Sequence, residues 1–379
     1  MTVLFLIDTL AIGGAERSIL EIASRFKKVK PVVCYIYNRD ELRSAYEAAG
    51  IEVVGLQLPI GSKHKVIIPR LLKIIDTYQP DIIHATLYRA MMVSRKLKRI
   101  TGIPLVNSFV SNSYSSARTD GLRFATKMKL RFYQYLDKST AKVPDIYISN
   151  SVSIAKSNAQ ALRVPMPKIK VIYRGRDKAR FKYVEAEKGK ALKESLHLKG
   201  SNKILLNVSR LRPRKGQADL IHAFTKIHLQ FPDAVLLIAG EGIYRGELEK
   251  LINSLNLQAK VKLLGNRNDV EVLLSIADAF VFPSYYEGLP GAIVEAMMAE
   301  KIIIASAIPE NLECIDERSA LLFPSGNINE LSNQLKKVLL HPDEYAPLAK
   351  EAVKQAEEKF EIDNIVNQYE QAYEQLIQS

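Results

Sequence analysis

Phe282-Pro283-Ser284-Tyr285-Tyr286-Glu287-Gly288-Leu289-Pro290-Gly291-Ala292-Ile293-Val294-Glu295-Ala296-Met297 compresses a strand end, a polar loop and a helix start into one stretch. An apolar run closes at Phe282, and Pro290 stands where a helix can begin, because its missing N–H costs nothing in the first turn. Glu287 then falls at the carboxyl end of a strand, beside helix N–H groups that have no partner in the helix. Glu295 follows about one and a half turns into that helix. Two carboxylates in this place can hold sugar hydroxyls, and the N–H groups suit an anion such as a diphosphate. For either acid alone, a loop Glu or a solvated helix Glu is the plainer reading.

Around this stretch, short apolar runs alternate with longer amphipathic segments. Ile204–Val208, Ala234–Ile238, Val261–Leu264, Ala279–Phe282, Ile302–Ala305 and Leu321–Phe323 read as strands. Helices are expected near Gln217–Gln230, Tyr244–Leu255, Gly291–Ala299, Ile328–Leu340 and Asp343–Lys359. The first half repeats the alternation, with strands Val3–Ile7, Pro31–Tyr37, Glu52–Leu56, Asp81–His84, Pro104–Phe109, Asp145–Ser149 and Ile169–Ile172. Helical candidates there are Ala15–Phe26, Ile67–Tyr78, Tyr88–Ile100, Gly121–Lys138 and Ser151–Leu162. Such alternation predicts α/β architecture with parallel sheets covered by helices on both faces, here two Rossmann-like domains in tandem. The Lys/Glu-rich stretch Tyr183–Asn202 is expected to hold a helix and the link. Open α/β sheets bind ligands at the carboxyl ends of their strands, so two facing domains would enclose a cleft there.

Asn207-Val208-Ser209-Arg210-Leu211-Arg212-Pro213-Arg214-Lys215-Gly216 follows the first strand of the second domain. Arg210 just after the strand and Lys215 at the next helix can converge on one phosphate pair, with Gly216 letting the backbone come close. Arg212 and Arg214 are expected to face solvent. Gly13-Gly14 forms the corresponding loop of the first domain but lacks the third glycine of a dinucleotide fingerprint. His84, read as the end of its strand, points to the same region and is a candidate for catalysis or acceptor binding, or a hydrogen-bonded structural residue.

Charge sharpens the division. The 379 residues carry a net charge of +13. Residues 1–175 hold 28 Lys+Arg against 12 Asp+Glu, a net +16, and the remainder holds 26 against 29, a net −3. Such asymmetry points either to an anionic partner for the first half, whether phosphate-bearing substrate, acidic lipid surface or nucleic acid, or to a solvated basic face without a partner. No helix-turn-helix, zinc or aromatic-platform signature supports nucleic acid. Arg118–Lys142 interleaves Arg118, Arg123, Lys127, Lys129, Arg131, Lys138 and Lys142 with Leu122, Phe124, Met128, Leu130, Phe132, Tyr133, Tyr135 and Leu136. As a helix it suits either an anionic membrane interface or ordinary packing on the sheet. The two Cys and six His show no metal-ligand spacing, and no Asp-x-Asp, P-loop or G-x-S-x-G occurs. There is no signal peptide pattern and no apolar run long enough to span a bilayer. A cytoplasmic protein, peripheral at most on the cytoplasmic face of a membrane, is the expectation.

These motifs together resemble the glycosyltransferase family 4 group. Gly13-Gly14, the Arg210…Lys215-Gly216 loop, and Glu287 and Glu295 separated by seven residues carry the resemblance, which extends over nearly the whole chain. It implies the GT-B fold and retaining, metal-independent transfer from a nucleotide sugar. By the same resemblance Arg210 and Lys215 bind the donor diphosphate, with Gly13 and Gly14 approaching it from the other domain. Glu287 contacts the donor sugar together with the Gly288-Leu289 backbone, and Glu295 holds the ribose hydroxyls. The terminal helix, Glu361–Ile377, crosses back to the first domain. Two departures stand out. Where many members carry a His, this chain reads Asn107-Ser108-Phe109-Val110-Ser111-Asn112, and the usual Asn-Gly near the link is Arg174-Gly175-Arg176, adding charge where an acceptor phosphate can lie.

The expected organisation is an acceptor-binding domain over 1–182, a donor-binding domain over 183–360 and a crossing helix over 361–379. The expected function is hexosyl transfer from a nucleotide sugar, a UDP-sugar by preference, to a glycan or lipid-linked acceptor in bacterial cell-surface polysaccharide synthesis. Arg210, Lys215 and Glu287 are the catalytic candidates, His84 and Arg174 the acceptor contacts, and neither metal nor other cofactor is required. Two rivals remain at this point: a nucleotide-sugar epimerase of the same architecture, and a binding protein without turnover.

Overall fold

The structure is a computed structural model that describes residues 1–112, 114 and 124–378. Arg118, Gly121, Leu122 and Arg123 of the expected basic helix lie outside the described residues. The first seven strands are β1 (Thr2–Ile7), β2 (Lys30–Tyr37), β3 (Glu52–Leu58), β4 (Ile82–Thr86), β5 (Leu105–Phe109), β6 (Ile146–Ser149) and β7 (Ile169–Val171). They form one sheet in the order β3-β2-β1-β4-β5-β6-β7. A second sheet contains β8 (Lys203–Val208), β9 (Ala234–Ala239), β10 (Val261–Gly265), β11 (Ala279–Phe282), β12 (Ile302–Ser306) and β13 (Leu321–Phe323), in the order β10-β9-β8-β11-β12-β13. The pairings are parallel throughout.

A central parallel strand is covered on both faces, which is why β1 is a continuous apolar run. Its residues alternate between two cores: Leu4 and Leu6 join one, Val3, Phe5 and Ile7 the other. In each sheet the first strand lies inside and the chain winds outwards from it in both directions. A topological switch point therefore falls between β1 and β4, and another between β8 and β11. Loops diverge there at the carboxyl ends and leave room for a ligand.

The chain divides into two compact units, residues up to Gly175 together with the final helix Ile362–Gln378, and Arg176–Glu361. The boundary thus lies seven residues before the expected one at 182/183. The cause is the short helix Lys178–Lys182, whose Lys178 pairs with Glu357 and whose Arg180 meets Glu271 at 3.0 Å, both acids of the second unit. Ile362, Ile365, Val366, Tyr369 and Tyr373 fall on one helical face and are buried with Phe5 and Ile7 in the first unit. The final helix carries Asp363, Glu370 and Glu374 and no cation, so the first unit holds the whole net +13 and the second is neutral. The net −3 of residues 176–379 thus resides in the final helix, which belongs to the first unit. Among the described residues no helix is long and apolar enough to cross a membrane.

Candidate functional site

The second unit assembles its site on the β8 and β11 loops. Asn207, at the end of β8, donates to the Val281 carbonyl at 2.8 Å, and Ser209 donates to Asn207 Oδ1 at 2.9 Å. Gln217 Nε2 donates to Ser209 Oγ at 2.8 Å and to the Arg210 carbonyl at 3.0 Å. This ladder fixes the backbone of Arg210, whose side chain is exposed at the carboxyl end of β8. Pro213–Lys215 then forms a 3₁₀ turn that ends at Gly216 with φ +68°. A Cβ at Gly216 would stand 2.1 Å from the Pro283 carbonyl oxygen, so only glycine lets the turn abut the β11 loop.

That close approach brings Lys215 to Glu287. Their side chains are 11% and 7% exposed, and Nζ lies 2.5 Å from Oε1. Burial pushes the Lys215 ammonium below its ordinary range, Glu287 opposes the shift, and Arg214 and Arg210 add to it. Arg214 was expected in solvent, and the structure corrects this. Its guanidinium stacks 4.9 Å over the Tyr286 ring, Nη1 donates to the Tyr286 carbonyl at 2.9 Å, and it stands 4.0 Å from Glu287 Oε2. The tight turn at Pro213 swings Arg214 back towards the loop while Arg212 stays exposed. Gly288 and the buried Leu289 complete the path to helix Gly291–Met298.

Glu310, absent from the sequence reading, is buried on the β12 loop; burial first, and the Glu287 charge in addition, push its carboxyl up. Gln217 Oε1, Ser284 Oγ and Asn311 Oδ1 are buried without a partner among the described residues, one on each of the β8, β11 and β12 loops. Such atoms are rare in folded proteins; three of the four among the described residues stand at one end of this sheet, and the fourth, Gln334 Oε1, is on helix Ile328–Leu340. Glu295 is paired with Arg176, Nε to Oε1 at 2.8 Å, which corrects the placement of Arg176 beside an acceptor phosphate.

The first unit treats its candidates differently. Gly13 caps helix Gly14–Ala23, and a Cβ there would strike the Glu16 carboxylate. A Cβ on Gly14 would lie 3.2 Å from Arg174 Nη1, so the glycine pair admits that guanidinium. Arg174 Nε and Nη2 donate to the Asn150 amide oxygen at 2.9 and 3.0 Å, in the amide orientation that also lets Asn150 donate to the Phe109 carbonyl. His84 does not end its strand: β4 runs on to Thr86, and the ring is 2% exposed. Nδ1 meets the Tyr373 hydroxyl and Nε2 the Ser108 hydroxyl, each at 2.6 Å, and burial pushes the imidazole down to about 3. With both nitrogens engaged, His84 is a neutral pin between β4, β5 and the final helix. A cavity of about 30 Å³, room for one water, lies among His84, Ser108, Asn150 and Arg174. Among the described residues no three His, Cys, Asp or Glu side chains gather as metal ligands.

The family model described as glycosyl transferases group 1 matches residues 189–358, and that described as glycosyltransferase family 4 matches residues 12–180. Two glycosyltransferases of Methanocaldococcus jannaschii are similar. One is 30% identical over 311 residues, 80% of this chain and 77% of that protein; the other is 35% identical over 127 residues, 34% of this chain and 30% of that protein. An Escherichia coli galactosyltransferase that uses UDP-Gal and a GlcNAc-diphosphoundecaprenol acceptor is 28% identical over 274 residues, 71% of this chain and 68% of its own. The crystal structure of Anabaena HepE with UDP and glucose superposes with a TM-score of 0.85 at 25% identity, covering 98% of this chain and 99% of that one. With the two halves matched in turn and a relative 30% identical over most of both chains, the chain belongs to glycosyltransferase family 4 and is a glycosyltransferase of the GT-B fold.

Proposed function

We propose that the protein is a retaining, metal-independent hexosyltransferase that takes a UDP-sugar as donor and a lipid-linked glycan as acceptor in bacterial cell-surface polysaccharide synthesis. The observation that carries the reading is the buried Lys215–Glu287 pair with Arg214 and Arg210 around it. Three cations and one carboxylate leave two net positive charges, which match the two negative charges of a sugar nucleotide diphosphate. UDP is the nucleotide in the Anabaena structure, and the E. coli relative combines a UDP-sugar with a lipid diphosphate acceptor.

The donor C1–O bond to phosphate breaks, C1 gains oxocarbenium character, and the acceptor oxygen bonds to C1 on the face that the phosphate leaves. Negative charge grows on the departing phosphate oxygen, where Arg210 and Lys215 stabilise it without rearrangement at the moment of reaction. That oxygen then accepts the acceptor hydroxyl's proton, so no flanking carboxylate pair is needed. These fixed cations take the electrostatic role that a divalent ion has elsewhere. Glu287, held by Lys215, presents its second oxygen to the sugar hydroxyls.

The first unit is the acceptor unit in this reading, and its membrane contact is helix Phe124–Thr140. Phe124, Met128, Phe132 and Tyr135 are 79%, 47%, 59% and 68% exposed along one stripe of it. Helical spacing sets Lys127, Arg131 and Lys138 along one flank of the stripe and Lys129 along the other, the pattern of a helix lying in an anionic interface.

Thermal shifts with UDP-, GDP-, ADP- and dTDP-sugars test the donor, since a ligand of the folded state stabilises by RT ln(1 + [L]/Kd). UDP-sugars are expected to give the largest shift, and transfer to an undecaprenyl-diphosphate glycan to proceed in EDTA with the donor's anomeric configuration kept. Inversion, loss of turnover in EDTA, or an epimer formed from donor alone sinks the corresponding part of the proposal.

A further inference from the structure

We infer that Arg176 is a positioning residue of the donor site that sets the affinity for the nucleotide ribose through Glu295. The inference rests on the reading that Glu295 faces the ribose hydroxyls. In Arg174-Gly175-Arg176 the two arginines part: Arg174 turns to Gly14 and Asn150 in the first unit, Arg176 to Glu295 in the second. Arg176 is anchored at its backbone, donating from N to the Phe360 carbonyl at 2.8 Å. Its Nε reaches Glu295 Oε1 at 2.8 Å with both side chains largely buried, 15% and 19% exposed. A carboxylate has two oxygens and about four acceptor positions. The charged hydrogen bond at Oε1 fixes the rotamer of Glu295 and leaves Oε2 to accept from a ribose hydroxyl.

The sequence makes space for this. Gly291, the first residue of helix Gly291–Met298, has no side chain, and a Cβ there would lie 2.6 Å from Arg176 Nη2. The guanidinium thus rests against the helix start. Gly291 is outside the left-handed region, so alanine is tolerated by the backbone, and the only group it displaces within 3.0 Å is the end of a flexible side chain. Gly291→Ala therefore moves the arginine without removing it.

The test is calorimetric binding of UDP and of 2′,3′-dideoxyuridine diphosphate to the whole chain, with melting curves and steady-state kinetics alongside. Arg176→Ala and Gly291→Ala are each expected to raise the UDP Kd about tenfold. Arg176→Lys, which lacks the planar fork, should rescue only part of the affinity of Arg176→Ala. Neither alanine change should alter binding of the dideoxy analogue or kcat at saturating donor. Gly291→Ala on top of Arg176→Ala should add nothing, because both act through one contact. If Glu295→Gln leaves UDP binding intact, the ribose reading itself is lost. If Glu295→Gln weakens binding while Arg176→Ala does not, or if Arg176→Ala tightens it, the positioning role is lost and the ribose reading stands. Equal weakening towards both nucleotides overturns the route through the ribose.

Discussion

The two units carry their positive charge in opposite ways. In the first, a net +13 is spread over surfaces such as helix Phe124–Thr140, where cations border an exposed apolar stripe. In the second, the net charge is zero, yet Lys215, Arg214 and Arg176 are turned inwards against Glu287 and Glu295 at the carboxyl end of the sheet. Dispersed charge makes a field that reaches about a Debye length and fades in salt. Paired, half-buried charge acts at fixed atoms and is screened far less. Net charge therefore says little about where cations are held in fixed positions; the neutral unit has the more ordered cluster of them.

Replacing Lys215 tests the paired side of this contrast and carries the largest expected effect. Lys215→Met keeps the bulk but leaves Glu287 buried beside one fewer cation. With donor saturating, turnover should fall about 10²–10³-fold, the range seen when one preorganised oxyanion donor is lost. Because the pair acts as a unit, Lys215→Met with Glu287→Gln should lose little more than the worse single change. Near-normal turnover of Lys215→Met removes it from the mechanism.

Asp8 offers a paired carboxylate in the first unit and an effect of intermediate size. It ends in the loop after β1 and accepts from the backbone N–H of Ala90 at 2.7 Å and of Arg89 at 3.3 Å, at the start of helix Tyr88–Thr101. Burial pushes its carboxyl up to about 6 from 3.8, against the pull of those N–H groups and of Arg89. The folded state thus holds this proton more tightly than the unfolded chain. Its stabilising contribution is complete below the unfolded value and is lost as pH rises through about 6. Asp8→Asn, neutral at every pH, should be more stable than wild type by up to about 2–3 kcal/mol at pH 7.5 and by nearly nothing at pH 4. Denaturant midpoints across that interval measure it; a difference that does not vary with pH means that the charge of Asp8 is not what burial penalises.

Much of the fold was legible because period and length are backbone properties. Ala279–Phe282, Leu321–Phe323 and helix Ile328–Leu340 stand where the apolar pattern puts them. Gln217–Thr225 stops earlier than its pattern, since the residues after it continue in turns, and Val270–Ile276 is too short and β-branched to announce itself as helix. Site legibility failed where tertiary packing decides a side chain's direction. Lys215 and Glu287 lie 72 positions apart, and the turn that folds Arg214 back is set by Gly216 meeting Pro283. His84 looked like a strand end because Ala85-Thr86 is weakly apolar, and its hydroxyl partner Tyr373 comes from 289 positions away. Arg176 was read by its sequence neighbours, whereas its partner Glu295 is on helix Gly291–Met298.

The dispersed side of the contrast predicts the smallest effect per residue and the strongest dependence on salt. A lysine or arginine near an anionic bilayer contributes about 1 kcal/mol, so Lys127→Gln or Arg131→Gln should each lower partition onto anionic vesicles about fivefold at low salt. At 1 M salt the Debye length shrinks to about 3 Å, and the difference between these variants and wild type should vanish. Phe132→Ser removes apolar contact instead, so its loss should persist in high salt and on neutral vesicles alike. None of the three changes should move the Kd for UDP, because the cations proposed to hold it belong to the second unit. Co-sedimentation with neutral and anionic vesicles over a salt series reads all of these at once. Equal binding of wild type to both vesicles at low salt would leave the +13 without a lipid partner, and salt-sensitive UDP binding in the Lys127 or Arg131 variants would break the division between field and site.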